Sequence, residues 1–161
     1  MSAVSVPPTG SASGSTGHAR VERELTRLLR RARFALSAYA AKVHPEIDLA
    51  AYTLLLAVRD AGAGNPDGHI RAADLASGLR LHKSTLSRGL AQLETFGLIE
   101  RTPDPSDARA RLVGVSADGT RRLNRVSTER RARLSAVLDR WDESDLETLA
   151  SLLDRLNTDL E

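Results

Sequence analysis

Cysteine is absent from the chain. Its absence excludes disulfides, thiolate metal sites and thiol redox sensing, and makes a reducing, intracellular compartment the simplest expectation. Aromatic residues are scarce as well, 3% of the total (Phe34, Phe96, Tyr39, Tyr52 and Trp141), so the core has to be assembled from Ala, Leu, Val and Ile. That composition favours helices. Long apolar runs are missing: the longest, such as Tyr52 to Val58, fall far short of the ~18 to 20 residues that cross a bilayer. No membrane role is expected. Met1 to Gly17 lacks both the charged start and the apolar stretch of a secretory signal, which makes the cytoplasm the expected location.

Lysine is nearly missing too. Only Lys42 and Lys83 occur, and every other side-chain cation is Arg. Arg suits forked contacts with phosphates and bases, although a high-GC coding bias produces the same excess and is its main cause. The formal net charge is only +2, but Asp139 to Glu161 holds eight acids against Arg140 and Arg155. The rest of the chain is therefore more basic than the total suggests, which permits a nucleic-acid face without demanding one. At 161 residues the chain fits one domain, with no room for a separate catalytic one.

What is present divides into segments. Residues 1–18 are rich in Ser, Gly, Pro and Thr, with no Leu, Ile or Phe, and predict a disordered tail before a single domain over 19–161. Val21, Leu25, Leu28, Ala32, Leu36, Tyr39 and Val43 recur at threes and fours, predicting a long amphipathic helix over about 20–44. Glu46 to Ala61 reads as a second helix, stopped by the glycine-rich run Gly62 to Gly68. Arg71 to Gly78 is a short helix, and after a turn at Leu79 to His82 another runs to Phe96, closed by Gly97. Within it Leu86, Leu90 and Leu93 share one face. Ser84, Thr85, Ser87, Arg88 and Gln92 point elsewhere, so the pair presents a polar surface suited to reading DNA.

Two β-prone runs follow, Leu98 to Arg101 and Arg111 to Val115, predicting a hairpin with a long tip stiffened by proline. Ser116 then caps an Arg-rich helix, and Ser144 to Glu147 forms a capping box for a last helix striped by Leu146, Leu149, Leu153, Leu156 and Leu160. The DNA-binding lobe is thus about 46–116. The helices at 20–44 and 117–160 present more apolar surface than so small a body covers, which predicts a homodimer.

The order helix, helix, helix-turn-helix, hairpin, two helices resembles the multiple antibiotic resistance regulator (MarR) family over about residues 20–160. Its sharpest part runs through Leu75-Ala76, Ser84-Thr85-Leu86-Ser87-Arg88, Leu93-Glu94, Gly97-Leu98-Ile99-Glu100-Arg101, Asp107-Ala108-Arg109 and Val115-Ser116-Ala117-Asp118-Gly119. The resemblance implies a mainly α fold with a small β-hairpin wing, a winged helix-turn-helix with N- and C-terminal dimerisation helices. It implies a transcriptional regulator, by family default a repressor. Its partners would be double-stranded DNA carrying a palindromic operator, a second copy of itself, and a small-molecule effector, often a phenolic or aromatic anion.

The residues support specific roles. Short hydroxyl side chains at Ser84, Thr85 and Ser87 approach base edges closely, and Arg88 can fork onto a guanine; otherwise Ser84 only caps its helix and Arg88 is a solvated charge. Lys83 suits phosphate. Arg109 sits where an Arg would enter the minor groove, with Arg111 as a flanking candidate. Asp107, two residues earlier, lies on the same side of an extended chain, and in similar proteins that Asp orients the wing; otherwise the two form a surface ion pair of little worth. Arg101 is either a phosphate contact or a structural tie. Gly89 is unfavourable inside a helix, so either the backbone there passes close to something or the position is tolerated.

His18, His44, His69 and His82 share no ligand spacing, so no metal and no cofactor is expected. Tyr39, Tyr52 and Phe34 could line an effector pocket but at helical spacing are more often core, and ligand-binding residues are left unassigned. No enzyme is expected, since the sequence clusters no acid, base and nucleophile. The competing possibility is a winged-helix protein that has lost DNA binding and works through partners at its acidic C-terminal helices.

Overall fold

The computed structural model describes residues 12–160, with side chains from Thr16 onward other than those of Ala108 and Arg109. In chain order the elements are α1 (Ala12–Val43), α2 (Leu49–Gly62), β1 (His69–Arg71), α3 (Ala72–Leu79), α4 (Lys83–Thr95), β2 (Ile99–Asp104), β3 (Asp107–Val115), α5 (Ala117–Leu138) and α6 (Glu143–Asp159). Helices dominate, and the strands form one antiparallel sheet in the order β1-β3-β2. This is a winged helix-turn-helix, as expected.

Four details depart from expectation. α1 begins at Ala12, inside the segment taken for a disordered tail, because helix continues beyond the apolar periodicity that signals it; residues 1–11 of that tail lie outside the described residues. β1 was not anticipated, and at three residues it is too short to carry a periodic signal. The strands run further into the hairpin tip than expected: pairing is regular from Ile99↔Val115 to Pro103↔Arg111, then shifts register to Asp104↔Asp107, leaving 108–110 out of the ladder and Pro105 and Ser106 as the turn. Finally, α6 opens with Asp142 at its N-cap, without a side-chain capping bond. Ser144 lies inside the helix, where its carbonyl accepts from the Thr148 hydroxyl at 2.7 Å, so the expected capping box does not form.

Elsewhere local chemistry sets the boundaries. Asp48 caps α2 by accepting from the Ala51 amide at 2.7 Å. α4 ends in a Schellman motif: Gly97 takes φ +67°, its amide donates to Glu94 O at 2.9 Å, and the Leu98 amide donates to Leu93 O at 2.9 Å. Leu98 is thereby driven into the core, where it joins Val43, Leu55, Val58, Leu90, Leu93, Val113 and Leu123, all fully buried. Ser116 caps α5 as expected, accepting from the Gly119 amide at 2.9 Å, while its hydroxyl donates to Gly97 O at 2.6 Å. A Cβ on Gly119 would stand 2.2 Å from Leu98 O. The end of α4, the base of the hairpin and the start of α5 are thus packed as one unit.

The long helices behave differently. Among the described side chains of α1 the C-terminal end enters the core, through Tyr39, Ala40 and Val43, while Val21, Leu28, Leu29 and Phe34 are exposed. Leu134 and Val137 of α5 are exposed as well, and no residue of α6 is fully buried.

Candidate nucleic-acid interface

α4 is held against the body by Leu86, Leu90 and Leu93, which are at most 2% exposed. That packing fixes its rotation. Lys83, Ser84, Thr85, Ser87 and Arg88 are consequently all exposed on the first two turns, as expected of them. His82, not Ser84, occupies the N-cap, so the Ser84 hydroxyl is not consumed in capping. Neither Lys83 nor Arg88 makes an ion pair among the described residues. Their charges stand unneutralised beside hydroxyl groups on an outward face.

Gly89 is explained by contact. A Cβ there would lie 2.6 Å from Leu54 Cδ2, so α4 crosses α2 at this glycine. The turn before α4 holds the one non-glycine residue with positive φ among the described residues, Arg80 at +51°. It ends α3, and the Leu81 amide donates to Ala76 O at 3.2 Å in a glycine-like C-cap. Arg80 is exposed, and no feature of the sequence distinguishes it from the other arginines.

The wing rises from the sheet beside α4. Asp107 and Arg111 are exposed on β3; the backbone of β3 runs through Arg109, whose side chain lies outside the described ones. Arg101 lies at the wing base with its Nε 3.0 Å from Glu94 Oε2, in a geometry that leaves that nitrogen without a hydrogen bond. This contact ties the wing base to the C-terminal half of α4.

The wing also contains a buried carboxylate. Asp104 is 5% exposed. Its Oδ1 accepts from the Ser106 amide at 2.8 Å and the Ser106 hydroxyl at 2.7 Å, and its Oδ2 accepts from Arg71 Nε at 2.6 Å. The second arm of Arg71 donates to Ser106 Oγ at 2.8 Å. The Ser106 hydroxyl and amide, then Arg71, hold the Asp104 carboxyl at a pKa of about 2. The sequence signal was the Asp-Pro-Ser order itself, an Asx turn in which a carboxylate bonds the amide two residues on.

A second cross-strand contact lies nearer the wing base. His69, Gly114 and Glu100 are in register across the three strands. A Cβ on Gly114 would lie 2.6 Å from the His69 ring, so the imidazole passes over that glycine to place Nε2 3.6 Å from Glu100 Oε1.

The MarR family's sequence pattern matches residues 47–110, from the start of α2 into the wing. A curated relative, the uncharacterized HTH-type transcriptional regulator YxaD of Bacillus subtilis (strain 168), is 32% identical over 137 residues, covering 85% of this chain and 90% of its own. The chain belongs to the MarR family. It is a transcriptional regulator of the DNA-binding winged helix-turn-helix type, not an enzyme. Among solved structures, RV1404 of Mycobacterium tuberculosis aligns with a TM-score of 0.74 at 20% identity, over 94% of this chain and 97% of that one. Streptococcus pneumoniae FabT in complex with DNA aligns with a TM-score of 0.72 at 17% identity, over 89% and 96%. Both share the fold.

In this MarR-family chain the aromatic residues divide. Tyr39 and Tyr52 are core, with burial pushing the Tyr52 hydroxyl above its ordinary pKa, while Phe34 is exposed. None lines the open groove of about 720 Å³ where Arg33, Asp48, Leu54, Leu81, Thr85 and Gln92 converge beside the helix-turn-helix. No helix among the described residues is long and apolar enough to cross a membrane. No group of three or more His, Asp or Glu suited to a metal occurs among the described residues.

Proposed function

We propose that this regulator binds a palindromic operator as a homodimer, with α4 in the major groove and the wing at the adjacent minor groove. The observation that carries it is the outward face of α4: Lys83, Ser84, Thr85, Ser87 and Arg88 are exposed together over a buried Leu86, Leu90 and Leu93. In the roles assigned, Arg88 reads a guanine edge, the three hydroxyls approach bases and phosphates, and Lys83 meets phosphate. Arg109 enters the minor groove with Arg111 beside it, and Asp107 orients that strand. The fold shared with FabT, a protein solved in complex with DNA, supports this placement.

Dimerisation through α1, α5 and α6 accounts for their exposed apolar stripes, and sets two copies of α4 about 34 Å apart on successive major grooves. Repression follows if the operator overlaps a promoter. A small-molecule effector bound between the dimerisation helices and the DNA-binding lobe would favour a spacing of the two α4 helices that no longer fits the grooves, so the operator is released by population shift.

The test is a mobility-shift salt series on the DNA upstream of the protein's own coding sequence, with Arg88→Ala and Arg109→Ala beside the parent. Specific binding by the parent, relaxed base preference in Arg88→Ala and weaker binding in Arg109→Ala are the expected results. Salt-insensitive, non-specific retention by all three would transfer the function to protein partners of the acidic, apolar α6.

A further inference from the structure

β1 pairs with β3 only from His69↔Gly114 to Arg71↔Leu112. Beyond Leu112 the wing is a two-stranded ribbon of β2 and β3, and Asp107, Arg109 and Arg111 all lie in that part. A ribbon of two strands is marginal by itself and free to twist. Its pairing is reduced to Pro103↔Arg111 and Asp104↔Asp107 with a register shift between them, so no regular ladder fixes its angle to the helix-turn-helix.

The Arg71–Asp104–Ser106 cluster supplies the missing restraint. Arg71 ends β1 and is also the N-cap of α3, the first helix of the helix-turn-helix. Asp104 ends β2, on the far side of β3. The guanidinium therefore crosses the central strand to reach the carboxylate at 2.6 Å and the Ser106 hydroxyl at 2.8 Å. Ser106 is the second residue of the turn, so both the last residue of β2 and the tip itself are held. Every oxygen in the cluster is used: Oδ1 by Ser106 twice, Oδ2 by Arg71, and Ser106 Oγ as donor to one and acceptor from the other. Asp104 is the one buried charged side chain among the described residues. A buried carboxylate is costly unless fully bonded, so the ribbon is held where these bonds are made and resisted elsewhere.

We propose that Arg71, Asp104 and Ser106 form a strap that sets the angle at which the wing is presented to DNA, making them positioning residues for operator binding. The inference rests on the DNA-binding function proposed above. The strap touches no nucleotide; it holds Arg109 and Arg111 over the minor groove while α4 occupies the major groove independently.

The full-length parent is first used to select a duplex from a randomised DNA pool, and that duplex becomes the probe for Arg71→Gln, Asp104→Asn, Arg71→Lys and the control Arg88→Ala. Arg71→Gln and Asp104→Asn are expected to bind about tenfold more weakly and to lose about one phosphate contact from the slope of log affinity against log salt. Hydroxyl-radical protection in the flanking minor groove should disappear, with protection of guanine N7 in the major groove intact. Arg71→Lys keeps a cation opposite Asp104 without the fork to Ser106 and should fall between parent and Arg71→Gln. Arg88→Ala should show the reverse footprint. Unchanged affinity, slope and footprint in both strap variants, or a uniform loss of both footprints, overturns the strap while leaving DNA binding by the parent in place. A parent that enriches no sequence overturns the DNA-binding proposal, and the strap with it.

Discussion

A β-carbon placed on Gly89 would stand 2.6 Å from Cδ2 of Leu54, so α4 and α2 approach each other closely at a position without a side chain. Ala at this position would gain about 1 kcal/mol of helix propensity, set against displacement of the Leu54 tip, which borders the open groove and has room to turn. Gly89→Ala is therefore expected to leave urea stability nearly unchanged. Gly89→Leu, which has no such escape, should lose about 1–3 kcal/mol.

Ser116 makes two bonds from one hydroxyl, accepting from Gly119 N at 2.9 Å and donating to Gly97 O at 2.6 Å. Ser116→Ala should lower stability by about 1–2 kcal/mol, seen as a lower urea midpoint at constant m. Ser116→Thr should recover most of the loss.

Asp104 gives the stability curve an acid limb. Its carboxyl is lowered from 3.8 to about 2 by the Ser106 hydroxyl and amide and by Arg71. A depressed folded-state pKa means the contribution is complete above the unfolded value and is lost as pH falls through the folded one. Melting curves of the parent and Asp104→Asn should therefore differ most at neutral pH and converge between about pH 4 and pH 2. Curves that stay parallel to pH 2 would show that the carboxylate's bonds do not survive in solution.

Arg80 holds a left-handed conformation at φ +51°, which costs an L-residue about 1–2 kcal/mol and glycine almost nothing. After the extra chain entropy of glycine, Arg80→Gly should raise stability by up to about 1 kcal/mol. The same variant removes an exposed cation from the turn of the helix-turn-helix, so its melting temperature and its DNA affinity are to be measured together.

The apolar stripe of α6, with Leu152 50% and Leu153 41% exposed, is where a second copy is expected to sit. Leu153→Asp should halve the mass measured by light scattering, leaving the fold of 47–116 intact by circular dichroism. An unchanged mass would place the dimer contact elsewhere.

Features specified by near neighbours in the chain were legible in the sequence. The Leu86-Leu90-Leu93 face, the Gly97 stop and the Ser116 cap each follow from residues within one or two turns, and all three stand in the structure. β1 was not legible, because its partner strand lies more than forty residues on, with His69 opposite Gly114. The reach of the strands into the wing tip is hidden for the converse reason: Pro103 and Pro105 look like breakers, yet regular pairing continues through Pro103, whose missing amide is tolerated on an edge strand, and shifts register only after it. At the start of α6, Asp142 and Ser144 are both good caps, and the sequence does not choose between them. Of the interface, the face of α4 was readable from periodicity. The Arg71–Asp104 bond joins positions 33 apart and emerges only when the sheet is assembled.

α6 is a 17-residue helix without a fully buried residue, in which only Leu146 and Leu156 are half-buried against its own chain. A helix of that length is marginal in water without a surface to lie on. Its order must come from whatever covers it, so the proportion of folded C-terminus tracks the concentration of that partner. If the partner is a second copy, the protein carries a gauge of its own abundance: on dilution the last helix frays first and is the first segment open to proteolysis, and scarce chains are cleared faster than plentiful ones.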